Sequence, residues 1–230
     1  NIARFIDSFY QNARAGDILN SLEFWFYIDD DDKLSIPELI YQKKEYEGLV
    51  NINWIVGPRT AISDMYNRLY EHLSRPDLVL ISGDDCICRT EGWDIEVENA
   101  FKQYEDRIVL VGGKDLLNES LFTTFVLSKE YIDIFGKVMP EGFWDYSDTW
   151  HWHTFSMINR IHKINIVIEH MHVSNNKAPM DDTMREKNLR CYGGPIGSHI
   201  KFDQERHIRE QIAERLLLKI NDSKVKSEHN

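Results

Sequence analysis

Residues 78–86 read Leu78-Val79-Leu80-Ile81-Ser82-Gly83-Asp84-Asp85-Cys86, an apolar run that ends on two adjacent carboxylates. The run is short, β-branched in part and closed by a Ser-Gly turn signal, which is the pattern of a buried strand. Two like charges side by side repel, so their place at a strand tip asks for a cation or a ligand that carries one. Neighbouring segments repeat the arrangement. Leu22 to Ile28, LEFWFYI, is a second apolar run, and it ends on Asp29 to Asp32. Ile52 to Val56 is a third, closed by Gly57-Pro58.

Helical stripes separate these runs. Ile2, Phe5, Ile6 and Phe9 recur at helical spacing, as do Ile62, Met65, Tyr66, Leu69 and Leu73, and Trp93, Val97, Ala100, Phe101 and Tyr104. Pro37 suits the first turn of a helix that reaches Tyr46. Helix and strand alternate, so the fold class expected is α/β, with an open, mostly parallel sheet flanked by helices. Ligands of such sheets bind beyond the carboxyl ends of the strands, and both acidic clusters stand there. A single Asp-rich turn reads as solvated punctuation; two at one sheet edge read as a site.

Residues 116–220 are less regular. A strand at Ile108 to Val111 closes the alternating part; beyond it, strands are expected at Phe122 to Leu127 and Ile164 to Val173, and a helix from an Asp148 cap to about Ile161. Asp203 is read as the cap of a last helix with the stripe Ile208, Ile212, Leu216 and Ile220, followed by a polar tail at 221–230. One domain is expected over 1–220, with a ligand-binding half at 1–115 and a less regular half at 116–220.

Charge narrows the function. Lys and Arg number 27 against 38 Asp and Glu, a formal charge of −11, so nucleic acid is not an expected partner. No apolar run is long enough to span a membrane. Three cysteines without a CxxC pair (Cys86, Cys88, Cys191) fit a reducing cytoplasm better than a zinc site.

Candidate chemistry comes from four places. His170 and His172 alternate with Ile166 and Ile168, so strand periodicity puts imidazoles on the face that Ile166 and Ile168 occupy. Either can ligate a metal beside Asp84 and Asp85; His172, nearer the following loop, is preferred. Gly142 to Trp150 mixes aromatic rings with Asp145 and Asp148, a composition that suits sugar, and Asp148 is the candidate general base. Arg59 stands at a strand-to-helix turn where it can pair with a diphosphate. Lys177, Arg185 and Arg190 are weaker candidates for a phosphate.

Taken together, the Asp cluster after a strand, GPR followed by Asn67, ISGDDCICRTEGWD and a late histidine resemble nucleotide-sugar glycosyltransferases of the GT-A fold, over about residues 1–185. The nearest likeness is to family-2-like inverting enzymes of phages, large viruses or bacteria. The resemblance implies Asp85 and His172 as metal ligands with His170 as the alternative, Asp84 and Asp30 against ribose, base or metal, and Arg59 near the donor diphosphate. It implies Asp148 as catalytic base and Mn²⁺ or Mg²⁺ as cofactor, with a nucleotide-sugar donor and a glycan or other hydroxyl acceptor. Ser82 stands where the family usually has an acid. Enzymes of this kind open with a strand that holds the nucleotide base; this sequence opens on the helix expected to follow it. The rival readings are a metal-dependent hydrolase, a nucleotidyltransferase, and an inactive glycan-binding module.

Overall fold

The structure is a computed structural model that describes residues 1–16, 21–118, 120–180, 182–192 and 197–227. Helix α1 (Ile2–Asn12) leads to β1 (Glu23–Asp29), α2 (Ser35–Glu45), β2 (Asn51–Gly57), α3 (Ile62–Glu71) and β3 (Leu78–Ile81). A short β4 (Cys86–Cys88), α4 (Trp93–Lys102), β5 (Leu110–Lys114) and β6 (Phe125–Ser128) follow. Then come α5 (Lys129–Phe135), α6 (Ser147–Met157), β7 (Ile161–His170), α7 (Asp182–Tyr192), α8 (Ser198–Gln204) and α9 (Arg206–Ser227).

The α/β class holds, but the strand directions differ from expectation. β1 and β2 form a parallel pair with Glu23 opposite Asn51. The other five strands make a sheet in the order β3-β6-β5-β7-β4, in which only β5 and β7 are parallel. The sheet is therefore mixed, not mostly parallel. Hydropathy marks a strand without giving its direction, and the three-residue β4 is too short to have shown a period.

Two apolar cores result. In the first, the α1 stripe meets β1, with the Phe5 ring edge-on to Phe24 and Phe26 at 6.0 and 5.9 Å. Trp93 stacks edge-on against Phe9 and donates its indole N–H to the Phe9 carbonyl at 2.9 Å. The next residue, Asp94, is buried, and its carboxylate accepts from the backbone N–H groups of Arg14 and Ala15. Much of the TEGWD motif is thus structural: it fastens the chain after α1 to the start of α4. The second core gathers Trp150 and Phe155 of α6, Tyr131 and Phe135 of α5, and Ile212, Leu216 and Ile220 of α9. Burying each such side chain fully contributes about 1.5–3 kcal/mol.

Two helix ends also differ from the sequence reading. α6 starts at Ser147 behind Tyr146, which takes a left-handed φ of 67°, so Asp148 is in the first turn and is not the cap. Asp203 lies inside α8, and α9 continues to Ser227, past the point where the polar sequence at 221–230 was expected to end it. Residues 228–230 of that stretch lie outside the described residues. No helix among the described residues is long and apolar enough to cross a membrane.

Candidate active site

The Asp84-Asp85 pair is placed by a strand register. After β3 the chain turns at Ser82-Gly83 and returns as β4, which pairs antiparallel with β7 so that Cys86 stands opposite His170. The Met171 N–H then donates to the Asp85 carbonyl at 2.9 Å. As a result Nε2 of His170 lies 3.1 Å from Oδ2 of Asp85. Ligand atoms of Asp85, Cys86 and His170 all fall within 4.8 Å of one another. Gly83 leaves room for this carboxylate: a Cβ there would stand 2.5 Å from Oδ1 of Asp85, so the Asp85 side chain would have to shift.

His172 takes a different position from the one expected. β7 ends at His170, so the two-residue alternation that put both imidazoles on one face stops before His172. That residue caps a short 3₁₀ turn, where its Nδ1 accepts from the Ser174 N–H at 3.1 Å. The two rings remain neighbours, with centroids 5.2 Å apart. The imidazole that contacts Asp85 is His170, the reverse of the preference drawn from position.

Electrostatics separates the two carboxyls. Burial alone would raise Asp85, but the hydrogen bond and charge of His170, then the charge of His172, outweigh it and hold Asp85 below the usual carboxylate range. Asp84 opens toward solvent as a residue, yet its carboxyl is desolvated at the cleft mouth. That desolvation first, and the Asp85 charge second, push it up. A cation would relieve this repulsion. Burial and the Asp85 charge push the Cys86 thiol up to about 11, so it holds its proton at neutral pH.

Tyr66 is the residue that sequence reasoning passed over. It was read only as part of a core stripe, yet its hydroxyl donates to the Ser82 carbonyl at 2.8 Å. Burial raises its pKa first, followed by the charges of Cys86, Asp85, Asp84 and Asp148. Asp148 therefore shares one electrostatic neighbourhood with the Asp84-Asp85 pair, although 63 positions separate it from Asp85 in the sequence. Its own carboxylate accepts from the Thr149 N–H at 2.6 Å.

Arg59 sits at the tip of β2, where Nε meets Asp29 at 2.9 Å, Nη2 meets Asp31 at 3.4 Å and Nη1 meets Glu186 of α7 at 2.6 Å. Glu186 also pairs with Arg190, whose guanidinium lies over the Trp144 ring at 4.2 Å. Asp30 is exposed and stands outside this network; Asp29 and Asp31 are the acids that engage Arg59. Asp29, Arg59, Asp84, Asp85 and His172 all line one cleft of about 1650 Å³. Lys177 also lines the cleft, with its amine paired to Glu169, which binds Arg89 as well.

No family model and no curated protein matches the chain. Solved structures do. One is residues 1–349 of TarS from S. aureus, with a TM-score of 0.51 and 12% identity over 95% of this chain and 67% of that one. The fold is GT-A-like. A second is the catalytic domain of Drosophila β1,4-galactosyltransferase 7 in complex with xylobiose, with a TM-score of 0.43 and 10% identity over 77% of this chain and 83% of that one. At such identities the TarS likeness is one of architecture, and the chemistry has to be argued from the residues of the cleft.

The donor set is suited to a divalent ion. Asp85 offers hard oxygen and His170 a borderline nitrogen, and Nδ1 of His170 is buried with no hydrogen-bond partner among the described residues.

Proposed function

We propose that this chain is the catalytic part of a metal-dependent, inverting glycosyltransferase that moves a sugar from a nucleotide-sugar donor to an acceptor hydroxyl. The observation that supports the reading is that the carboxyl ends of β1 and β3 line one cleft together with Arg59 and Asp85, while His170 lies 3.1 Å from Asp85 and the charge of Asp148 reaches Tyr66, which also lines the cleft. The TarS-like fold supports it.

Asp85 and His170 would hold Mn²⁺ or Mg²⁺, with Asp84 and His172 beside them; the bound ion supplies charge neutralisation for the leaving diphosphate. Arg59 binds the same diphosphate once the anion replaces Glu186 on its guanidinium. Asp30, exposed at the β1 tip, is placed for the ribose or base. Asp148 takes the proton of the acceptor hydroxyl as that oxygen attacks the anomeric carbon on the face opposite the diphosphate, so the configuration inverts. Trp144, held under Arg190, offers an aromatic face for the acceptor.

A panel of nucleotide sugars, each incubated with and without Mn²⁺, tests the reading by release of nucleoside diphosphate. Release that depends on Mn²⁺ and on Asp85 supports it. Ester hydrolysis without any donor indicates a metallohydrolase, and donor or glycan binding without turnover indicates a binding module; either result overturns it.

A further inference from the structure

The two members of the Asp85–His170 pair arrive on different pieces of backbone. β3 runs against β6 and stops at Ile81, opposite Phe125. β4 runs against β7 and starts at Cys86, opposite His170. Ser82 to Asp85 span the corner between these two ladders and belong to neither. Two adjacent threonines stand at that corner.

Thr124 is the next residue beyond the first ladder, facing Ser82, and it is buried. Its Oγ1 lies 3.3 Å from Oγ of Ser82 and 3.5 Å from Sγ of Cys86, one contact on each side of the acid turn. A hydroxyl has one proton to give, which assigns the directions. Ser82 donates to the Gly83 carbonyl at 3.2 Å and therefore accepts from Thr124. Thr124 in turn accepts from the Cys86 thiol, whose sulfur also stands 3.8 Å from Oδ1 of Asp85. Each proton is used once, in a chain that crosses the turn from Cys86 to Gly83.

Thr123 serves the other ligand. Its hydroxyl donates to Oδ2 of Asp115 at 2.8 Å, while Oδ1 of that buried carboxylate accepts from the N–H groups of Leu117 and Asn118 at 2.8 and 2.7 Å. Asp115 is thus held on both oxygens, and its carbonyl accepts the N–H of His170 at 2.9 Å. β5 last pairs with β7 at Val167, so this bond continues the hold on β7 as far as His170, its final residue.

We propose that Thr123 and Thr124 are positioning residues that hold His170 and the acid turn in one frame, so that Asp85 and His170 meet a divalent ion at a fixed separation. Neither threonine supplies a ligand atom; each acts through the groups it bonds, as outer partners of metal ligands do. Polar filling of the loop before β6 does not account for the pattern. Adjacent residues reach opposite members of a pair that lies 85 positions apart in the chain. The inference rests on Asp85 and His170 as the metal-binding pair read above, and it does not depend on which reaction the ion serves.

Thr123→Val and Thr124→Val keep the side-chain shape and remove the hydroxyl, whereas serine at either position keeps the hydroxyl and removes the methyl. Two readouts are taken on the whole chain. Hydrogen exchange of the metal-free protein is followed at the Cys86 amide, which bonds the Gly83 carbonyl across the acid turn, and at the His170 amide. Affinity for Mn²⁺ alone is measured by electron paramagnetic resonance of the free ion. Thr124→Val is expected to speed exchange at Cys86 and Thr123→Val at His170, each by at least about tenfold, with the amides of Ile164 to Ile168 unchanged. Each valine variant is expected to lower Mn²⁺ affinity about 10–100-fold, and each serine variant to recover most of it.

Exchange that speeds evenly along β7 would mean general loosening, and valine and serine variants that behave alike would mean packing; either overturns the proposal. So does faster exchange at the two amides with Mn²⁺ affinity unchanged. A parent protein that binds no Mn²⁺ fails at an earlier step: it overturns the metal pair, and the two amides still decide whether the threonines hold the frame.

Discussion

Gly83→Ala adds one methyl group at the turn that aims Asp85. The new Cβ would stand 2.5 Å from Oδ1 of Asp85, so the carboxylate must retreat by about 0.9 Å to reach the 3.4 Å of ordinary contact. Gly83 is not among the residues with positive φ, so alanine strains no backbone there. The displacement falls on the 3.1 Å contact with His170 and on the geometry of any ion the pair holds. Asp85 and His170 are part-exposed, so the fold is expected to lose less than about 1 kcal/mol. Displaced metal-site geometry typically costs about 10–100-fold in affinity, and that is the expected drop for Mn²⁺. Calorimetric titration of Mn²⁺ with nucleoside diphosphate present, run beside urea melts of both proteins, reads the two effects separately. Wild-type Mn²⁺ affinity in a Gly83→Ala protein of wild-type stability would refute the reasoning, because the contact would then have been relieved without moving the ligand.

Three further outcomes follow from the same geometry. His170→Ala is expected to weaken Mn²⁺ binding by at least about tenfold and His172→Ala by less, since His170 faces Asp85; parity in the titration would remove the distinction. Asp148→Asn should lower transfer by about 10²–10⁴-fold while donor affinity stays constant. Its melting point should move little because the amide oxygen can still accept from the Thr149 N–H, and near-normal turnover would shift the base to Asp145. His151 is buried with its pKa lowered from 6.5 to about 3, so between those values the unfolded chain binds a proton that the folded chain excludes, and stability falls as pH drops through that window. His151→Phe leaves the Tyr131 hydroxyl without its 2.9 Å partner, yet it should flatten the acid limb of the urea midpoint against pH; an unchanged slope would show that His151 is already neutralised another way.

The sequence carried the positions of the strands well because a buried strand must be apolar, and LEFWFYI and LVLI could be little else. It carried their directions badly, since hydropathy is indifferent to which way a strand runs; the antiparallel pairing of β6 was unreadable on that account, and β4 was too short to be read as a strand at all. The acid pair at 84–85 was legible because two adjacent charges at an apolar tip are costly without a purpose. Ordering the histidines was not, because it depended on where β7 stops, a matter of hydrogen bonding around Asp115 and Asn175. Asp94 had no role of its own in the ISGDDCICRTEGWD motif, and in the fold it is a clamp on two amides. Tyr66 was hidden in plain view by its own helical spacing.

The second core has a consequence for how the chain is made. Trp150, buried beside His151, is enclosed in part by Ile212, Leu216 and Ile220, which leave the ribosome 55 to 63 residues after the end of α6 at Met157. At about 5–20 residues per second, the half that carries Asp148 waits several seconds after α6 emerges before its final wall arrives. During that interval the aromatic cluster is open to wrong partners, whereas the α1–β1 core can already close. Slow synthesis or early termination should therefore leave one half ordered and the other prone to chaperone capture, so that yield and turnover need not rise or fall together.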